Sequence, residues 1–167
     1  MAKEVKSVPT TEYTIEPGKH DLTSVTILDA PRELVFKAYT DPKLFAQWWG
    51  PRRYTNHIDK FDSRSGGEWR VVQRAADGDE HAFRGVNHEV TAPERIASTF
   101  EYEGVPGHVA LQIATFEPLG NKTRLVAHMI FESVMDRDGM VAAGMQSGAD
   151  ESTERLSELL DRMKGGR

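Results

Sequence analysis

Residues 29–51 read DAPRELVFKAYTDPKLFAQWWGP, and local rules describe them as two short helices set end to end. Asp29 has the chemistry of an N-cap, and Pro31 falls in a first turn where its missing N–H costs nothing. Val35, Ala38 and Tyr39 stand at i, i+3 and i+4, one buried face. Thr40-Asp41-Pro42 repeats the cap-and-proline signal, so the first helix stops and a second begins. In that second helix Leu44 and Phe45 are matched one turn later by Trp48 and Trp49. Gly50-Pro51 ends it, with glycine free to turn left-handed and proline unable to continue. Two adjacent tryptophans at the end of a one-sided helix form an anchor that a large surface must cover.

Outside this stretch the pattern has period two. Asp21 to Leu28 alternates as a first strand. After Pro51, strands are expected at Tyr54–Asp62, Glu68–Ala75, His81–Val90, Arg95–Tyr102 and His108–Phe116, and then a long strand with Leu125, Ala127, Met129 and Phe131 on one face. Gly66-Gly67, Asp77-Gly78 and Gly120-Asn121 supply hairpin turns. The closing segment, from about Asp136 to Met163, has helical spacing in Val141, Met145, Ala149, Ser152, Leu156 and Met163. Glu151/Arg155 and Glu158/Arg162 read as i,i+4 pairs on its wet side. Its inner stripe is leucine and methionine in the C-terminal half but Gly144, Gly148, Ala149 and Ser152 in the N-terminal half. Such a helix cannot fill the space against a curved sheet unless sheet side chains do so, and otherwise a cavity remains.

The 167 residues fit one domain, 1–167, in which residues 1–19 are a polar extension with a short added strand expected around Tyr13 to Ile15. With no cysteine in the chain, disulfides, thiol catalysis and cysteine metal sites are excluded. No run approaches a membrane span, and the N-terminus lacks the apolar core of a secretory signal, so a cytoplasmic location is expected. The net charge of −5 argues against a nucleic-acid partner. Lys3/Lys6 and Arg52-Arg53 are the nearest approaches to a basic patch, and a solvated surface accounts for both.

The order strand, two short helices, six antiparallel strands and a long C-terminal helix is that of the α+β helix-grip fold. The chain resembles the START-like (SRPBCC) superfamily, in the branch named after the C-terminal domain of the activator of the ninety-kilodalton heat-shock-protein ATPase. The resemblance rests on Asp29-Ala30-Pro31, Val35-Phe36-x-Ala38-Tyr39-Thr40-Asp41-Pro42 and Trp48-Trp49-Gly50-Pro51. It continues through Asp62-x-Arg64-x-Gly66-Gly67-x-Trp69-Arg70, Asp77-Gly78, Gly85, Glu89 and Pro93-Glu94-Arg95-Ile96. It implies a small hydrophobic or aromatic ligand held between the long helix and the sheet, with no cofactor. It also brings two alternatives: chemistry of the polyketide cyclase kind, and a chaperone-linked interaction role. Relatives commonly carry Gly-Trp where this chain has Gly148-Ala149, so a roomier cavity is expected here.

Candidate cavity residues follow from these patterns. Trp48 and Trp49 come from the second helix, and Trp69, Val71 and Gln73 share one strand face. Phe83, Phe100, Tyr102, Leu111, Met129 and Phe131 come from the later strands, and Met145, Gly148 and Ala149 from the helix. Gln73 and Ser98 are the polar residues on otherwise apolar faces, and each needs a partner if buried. An enzymatic role would require titratable groups in the cavity, with His81, Glu89 and Arg84 the ones to check. The six histidines show no H-x-x-H spacing, so no metal is expected. Asp62 and Arg64 read as an ion pair shaping the Gly66-Gly67 turn. Helix-grip proteins occur as monomers and homodimers, and both remain open.

Overall fold

The computed structural model of the protein describes residues 8–165. The first seven residues of the polar extension, Lys3 and Lys6 among them, lie outside that range. A short strand β1 (Thr11–Thr14) lies against β2 (Asp21–Leu28), and α1 (Arg32–Thr40) and α2 (Pro42–Trp48) follow. Six strands come next: β3 (Tyr54–Phe61), β4 (Glu68–Ala75), β5 (Glu80–Thr91), β6 (Arg95–Tyr102), β7 (Val109–Leu119) and β8 (Lys122–Ile130). Two helices, α3 (Val134–Ala142) and α4 (Met145–Gly165), close the chain. The sheet order is β1-β2-β8-β7-β6-β5-β4-β3, with antiparallel neighbours throughout. This is the helix-grip arrangement, a curved sheet around a long helix. Among the described residues no helix is long and apolar enough to cross a membrane.

The helical pair forms with one change at its start. Asp29 does not cap α1; Pro31 occupies the N-cap position without a side-chain bond, and the Asp29 carbonyl instead receives Lys164 of α4. Asp41 does cap α2, its Oδ1 accepting from the Lys43 and Leu44 amides at 2.9 and 3.4 Å. Trp48 locks the two helices together, donating from Nε1 to the Ala38 carbonyl at 2.9 Å. Its ring lies 4.7 Å from that of Tyr39 and 5.2 Å from that of Phe45.

The C-terminal segment is two helices, not the single one its periodicity suggests. Gly144 adopts φ +90°, so α3 ends at Ala142, with Ala143 as its C-cap, and α4 starts anew at Met145. Only glycine takes that conformation without steric cost. Ser133 caps α3 by accepting from the Asp136 amide at 3.0 Å. The fully buried Leu156, Leu159 and Leu160 then seat the C-terminal half of α4 in the main core with Val35, Phe36 and Phe116.

The charged face of α4 also differs from the i,i+4 reading. Arg155 turns inward to α2, donating from Nη1 to the Gly50 carbonyl at 2.8 Å and from Nη2 to that of Gln47 at 3.0 Å. Carbonyls at a helix end have no intrahelical partner, and Arg155 supplies one. Burial, and then the charge of Arg52, pull its pKa down, yet a guanidinium stays charged in proteins. Glu158 pairs with Arg52 at 2.6 Å, and Glu151 accepts the Arg52 amide at 2.8 Å. The Asp62–Arg64 pair forms as expected, at 2.9 Å beside the glycine turn.

Candidate functional site

Between the N-terminal half of α4 and the concave face of the sheet lies a cavity of about 420 Å3. Its existence follows from the small residues on that half of the helix. Gly148, Ala149 and Ser152 line it, and a Cβ added at Gly148 would meet nothing nearer than Pro51 at 3.7 Å. The α2 terminus forms one wall, held in place by Arg155 and by Asn56, whose Nδ2 donates to the Trp49 and Ala46 carbonyls at 2.6 and 3.1 Å. Ser152 adds a third tie, accepting the Gly50 amide at 2.7 Å.

The walls at this end are a connected set of rings. Trp49 stacks on Phe45 at 5.4 Å and makes a T-shaped contact with Phe83 at 5.1 Å. Phe83 continues to Phe100 at 5.5 Å, and Phe100 lies 6.2 Å from Trp69. Tyr39 joins them; part of its surface is free, but that surface faces the cavity, and enclosure raises its hydroxyl pKa. At the other end, Met129, Met140 and Met145 supply flexible apolar contacts. Beside them, Tyr13 of β1 donates to Asp150 of α4 at 2.8 Å, pinning the extension to the helix next to the cavity.

The cavity is lined by ten of the residues singled out from sequence: Trp48, Trp49, Trp69, Gln73, Phe83, Phe100, Met129, Met145, Gly148 and Ala149. The other four lie elsewhere. Val71 is wholly enclosed in the main core. Tyr102 leans to the end of the sheet, where its hydroxyl meets His81 Nδ1 at 2.6 Å. Phe131, just past β8, packs with Leu22 and Ala110 in a separate cluster. Leu111 is on the opposite face of β7 from Gln112, because register with β6 pairs Gln112 with Ser98. A single residue separates the two faces of a strand: Ala110 and Phe116 are buried on the face of Gln112, and of the apolar alternation Val109/Leu111/Ile113 only Ile113 reaches the lining.

Several lining residues passed unnoticed in the sequence, among them the polar Asn87 and Gln112. Register makes Asn87, Ser98 and Gln112 neighbours on β5, β6 and β7, a polar row across an otherwise apolar floor. Ser98 marked one member of the row in the sequence, and only the register adds its polar partners on both sides. Gln112 Nε2 approaches Ser98 Oγ at 3.4 Å, a long bond, and Asn87 Nδ2 donates to the Asp62 carbonyl at 2.9 Å. Gln73 is 4% exposed, and neither end of its carboxamide bonds a described protein group.

The titratable groups held in reserve for catalysis sit away from this space. His81 lies between Tyr102 and Asp79 at the sheet end, with Asp79 held below the usual carboxylate range by Tyr54 and then His81. Glu89 pairs with Arg95, and Arg84 with Glu101 at 2.7 Å. Among the described residues one group brings metal-ligating atoms within 4.8 Å of one another: His108, Glu132 and Asp136. Internal bonds account for it, since Asp136 accepts from His108 at 2.9 Å and Glu132 from the Val109 amide at 3.2 Å.

The family model described as Activator of Hsp90 ATPase homolog 1-like protein matches residues 29–161. A solution structure from Arthrobacter aurescens superposes with a TM-score of 0.83 at 22% identity, over 90% of this chain and 91% of that one. A crystal structure from Mycobacterium smegmatis gives 0.82 at 20% identity, over 91% and 96%. One from Chromobacterium violaceum gives 0.73 at 26% identity, over 84% and 96%. No curated protein matches the chain.

Proposed function

Since this chain belongs to the family of Activator of Hsp90 ATPase homolog 1-like proteins, we infer that it works by holding a small hydrophobic or aromatic molecule in the cavity between α4 and the sheet. The observation that carries this reading is the cavity itself: about 420 Å3, walled by Trp49, Trp69, Phe83 and Phe100. Volume and lining of this kind suit a ligand of two or three fused rings or a short branched chain. Membership also fits a chaperone-linked module, as the family description names an activator of a chaperone ATPase. The small residues of α4 favour the ligand reading, because a helix serving only its outer surface has no need to keep its inner one empty. A cytoplasmic setting and a chain acting as one domain belong to the same reading.

The test is a thermal-shift screen of uncharged aromatic and aliphatic molecules, with native mass spectrometry of the purified chain beside it. A ligand that binds only the folded state raises the melting temperature in step with the logarithm of its concentration. Such a rise, with one ligand mass per chain, is the expected result. A panel that shifts nothing and adds no mass would overturn the reading.

A further inference from the structure

The lining carries polarity without charge. Among the described residues that line the cavity there is no Asp, Glu, Lys, Arg or His. Burying an unpaired charge costs far more than burying a hydrogen-bonding group. A carboxylate or ammonium entering this space would shed its water and meet no counter-charge.

Hydrogen-bonding capacity, by contrast, is held open. Gln73, on the inner face of β4, is 4% exposed, lines the cavity and has no partner among the described residues at either end of its carboxamide. A polar group this enclosed is ordinarily satisfied, and the surface its carboxamide keeps opens on the cavity, where an incoming group can supply the partner. Its neighbour Asn56 on β3, which is not part of the cavity lining, spends its Nδ2 on the α2 carbonyls and leaves its buried Oδ1 without a partner among the described residues. Further along the floor, the Asn87, Ser98 and Gln112 side chains sit on successive strands about 4.8 Å apart. Gln112 and Ser98 are joined only by the long 3.4 Å bond, which leaves both able to turn to a ligand.

We propose that the cavity selects an uncharged aromatic molecule bearing a carbonyl or hydroxyl group, which bonds the Gln73 carboxamide while the rings lie against Trp49, Trp69 and Phe83. The row Asn87–Ser98–Gln112 receives a second oxygen where the ligand has one. A primary amide both donates and accepts, so Gln73 serves a ketone through Nε2 and a hydroxyl through Oε1. This selectivity rests on the cavity reading above and adds to it the chemical class of the ligand.

Three molecules of one skeleton separate the two claims: acetylnaphthalene, ethylnaphthalene and naphthoate, titrated calorimetrically into the full chain. The ketone is expected to bind about fivefold tighter than the hydrocarbon, the yield of one net hydrogen bond, and naphthoate more weakly than either. In Gln73→Met, of similar volume, the ketone's advantage is expected to fall within twofold while ethylnaphthalene still binds. Val86→Ala, exposed on β5 and outside the cavity lining, serves as a second variant, expected to keep the ketone preference; both are compared only once their melting temperatures show them folded. Naphthoate binding as tightly as the ketone, or a ketone preference that survives Gln73→Met, would overturn the proposal and leave the cavity reading standing. If none of the three binds, the cavity reading falls, and the proposal with it.

Discussion

A methyl group added at Gly50 would lie 2.0 Å from Nε2 of Gln73. The residue that ends α2 is therefore also the surface against which the unpartnered carboxamide rests. Gly50 adopts φ +82°, which ends the helix and leaves its carbonyl to Arg155.

Gly50→Ala is predicted to destabilise the protein by roughly 1–3 kcal/mol from its backbone conformation alone, with the displaced Gln73 adding to that. Denaturant unfolding checks the stability change. Ligand titration checks the second consequence, a smaller preference for ketone over hydrocarbon than in the wild type.

Ala149→Trp is predicted to fill the cavity from the α4 side. Ligand-induced thermal shifts should disappear, while the melting temperature of the unliganded chain stays level or rises as the rings gain a neighbour. An unchanged ligand response would place binding elsewhere on the molecule.

Arg155→Met keeps most of the apolar stem but removes the donor that serves the carbonyls of Gln47 and Gly50. Bonds from a charged donor contribute about 1.5–3 kcal/mol in net terms. A loss in that range is expected in denaturant unfolding. Ligand affinity should fall with it, because the α2 terminus carries Trp48 and Trp49.

His108, just before β7, bonds Asp136 in the first turn of α3, and that bond and its charge raise the imidazole pKa; Glu132 adds to the same field. A raised folded-state pKa stabilises the fold below the ordinary imidazole value, and the gain is lost as pH climbs through the raised one. His108→Ala should therefore lower the melting temperature more at about pH 5.5 than at about pH 8.5, on either side of the ordinary value near 6.5. Equal losses at both pH values would contradict the pairing.

Much of the architecture was legible because its signals are local. Asp41-Pro42, the hairpin glycines and the alternation in β4 and β6 each act within a few residues, and those elements lie where the pattern puts them. The break at Gly144 was harder to read, since a glycine inside a helical period describes equally a small inner residue and a stop. Arg155 misled for a related reason: i,i+4 spacing with Glu151 says what the side chain can reach along its own helix, and nothing of carbonyls arriving from α2. In the cavity, Trp69, Phe83 and Phe100 were legible from alternation, whereas the same pattern misplaced Tyr102 and Phe131. Gln112 was not legible, because facing is settled by register with β6, which no single strand's pattern contains.

The most direct test is a tryptophan fluorescence titration of the wild-type chain with acetylnaphthalene, since Trp49 and Trp69 stand in the cavity wall. Binding there predicts quenching that saturates at one ligand per chain and vanishes in Ala149→Trp once the added tryptophan's own signal is subtracted. Quenching that grows linearly without saturation, and equally in the denatured chain, would be collisional and would contradict the account.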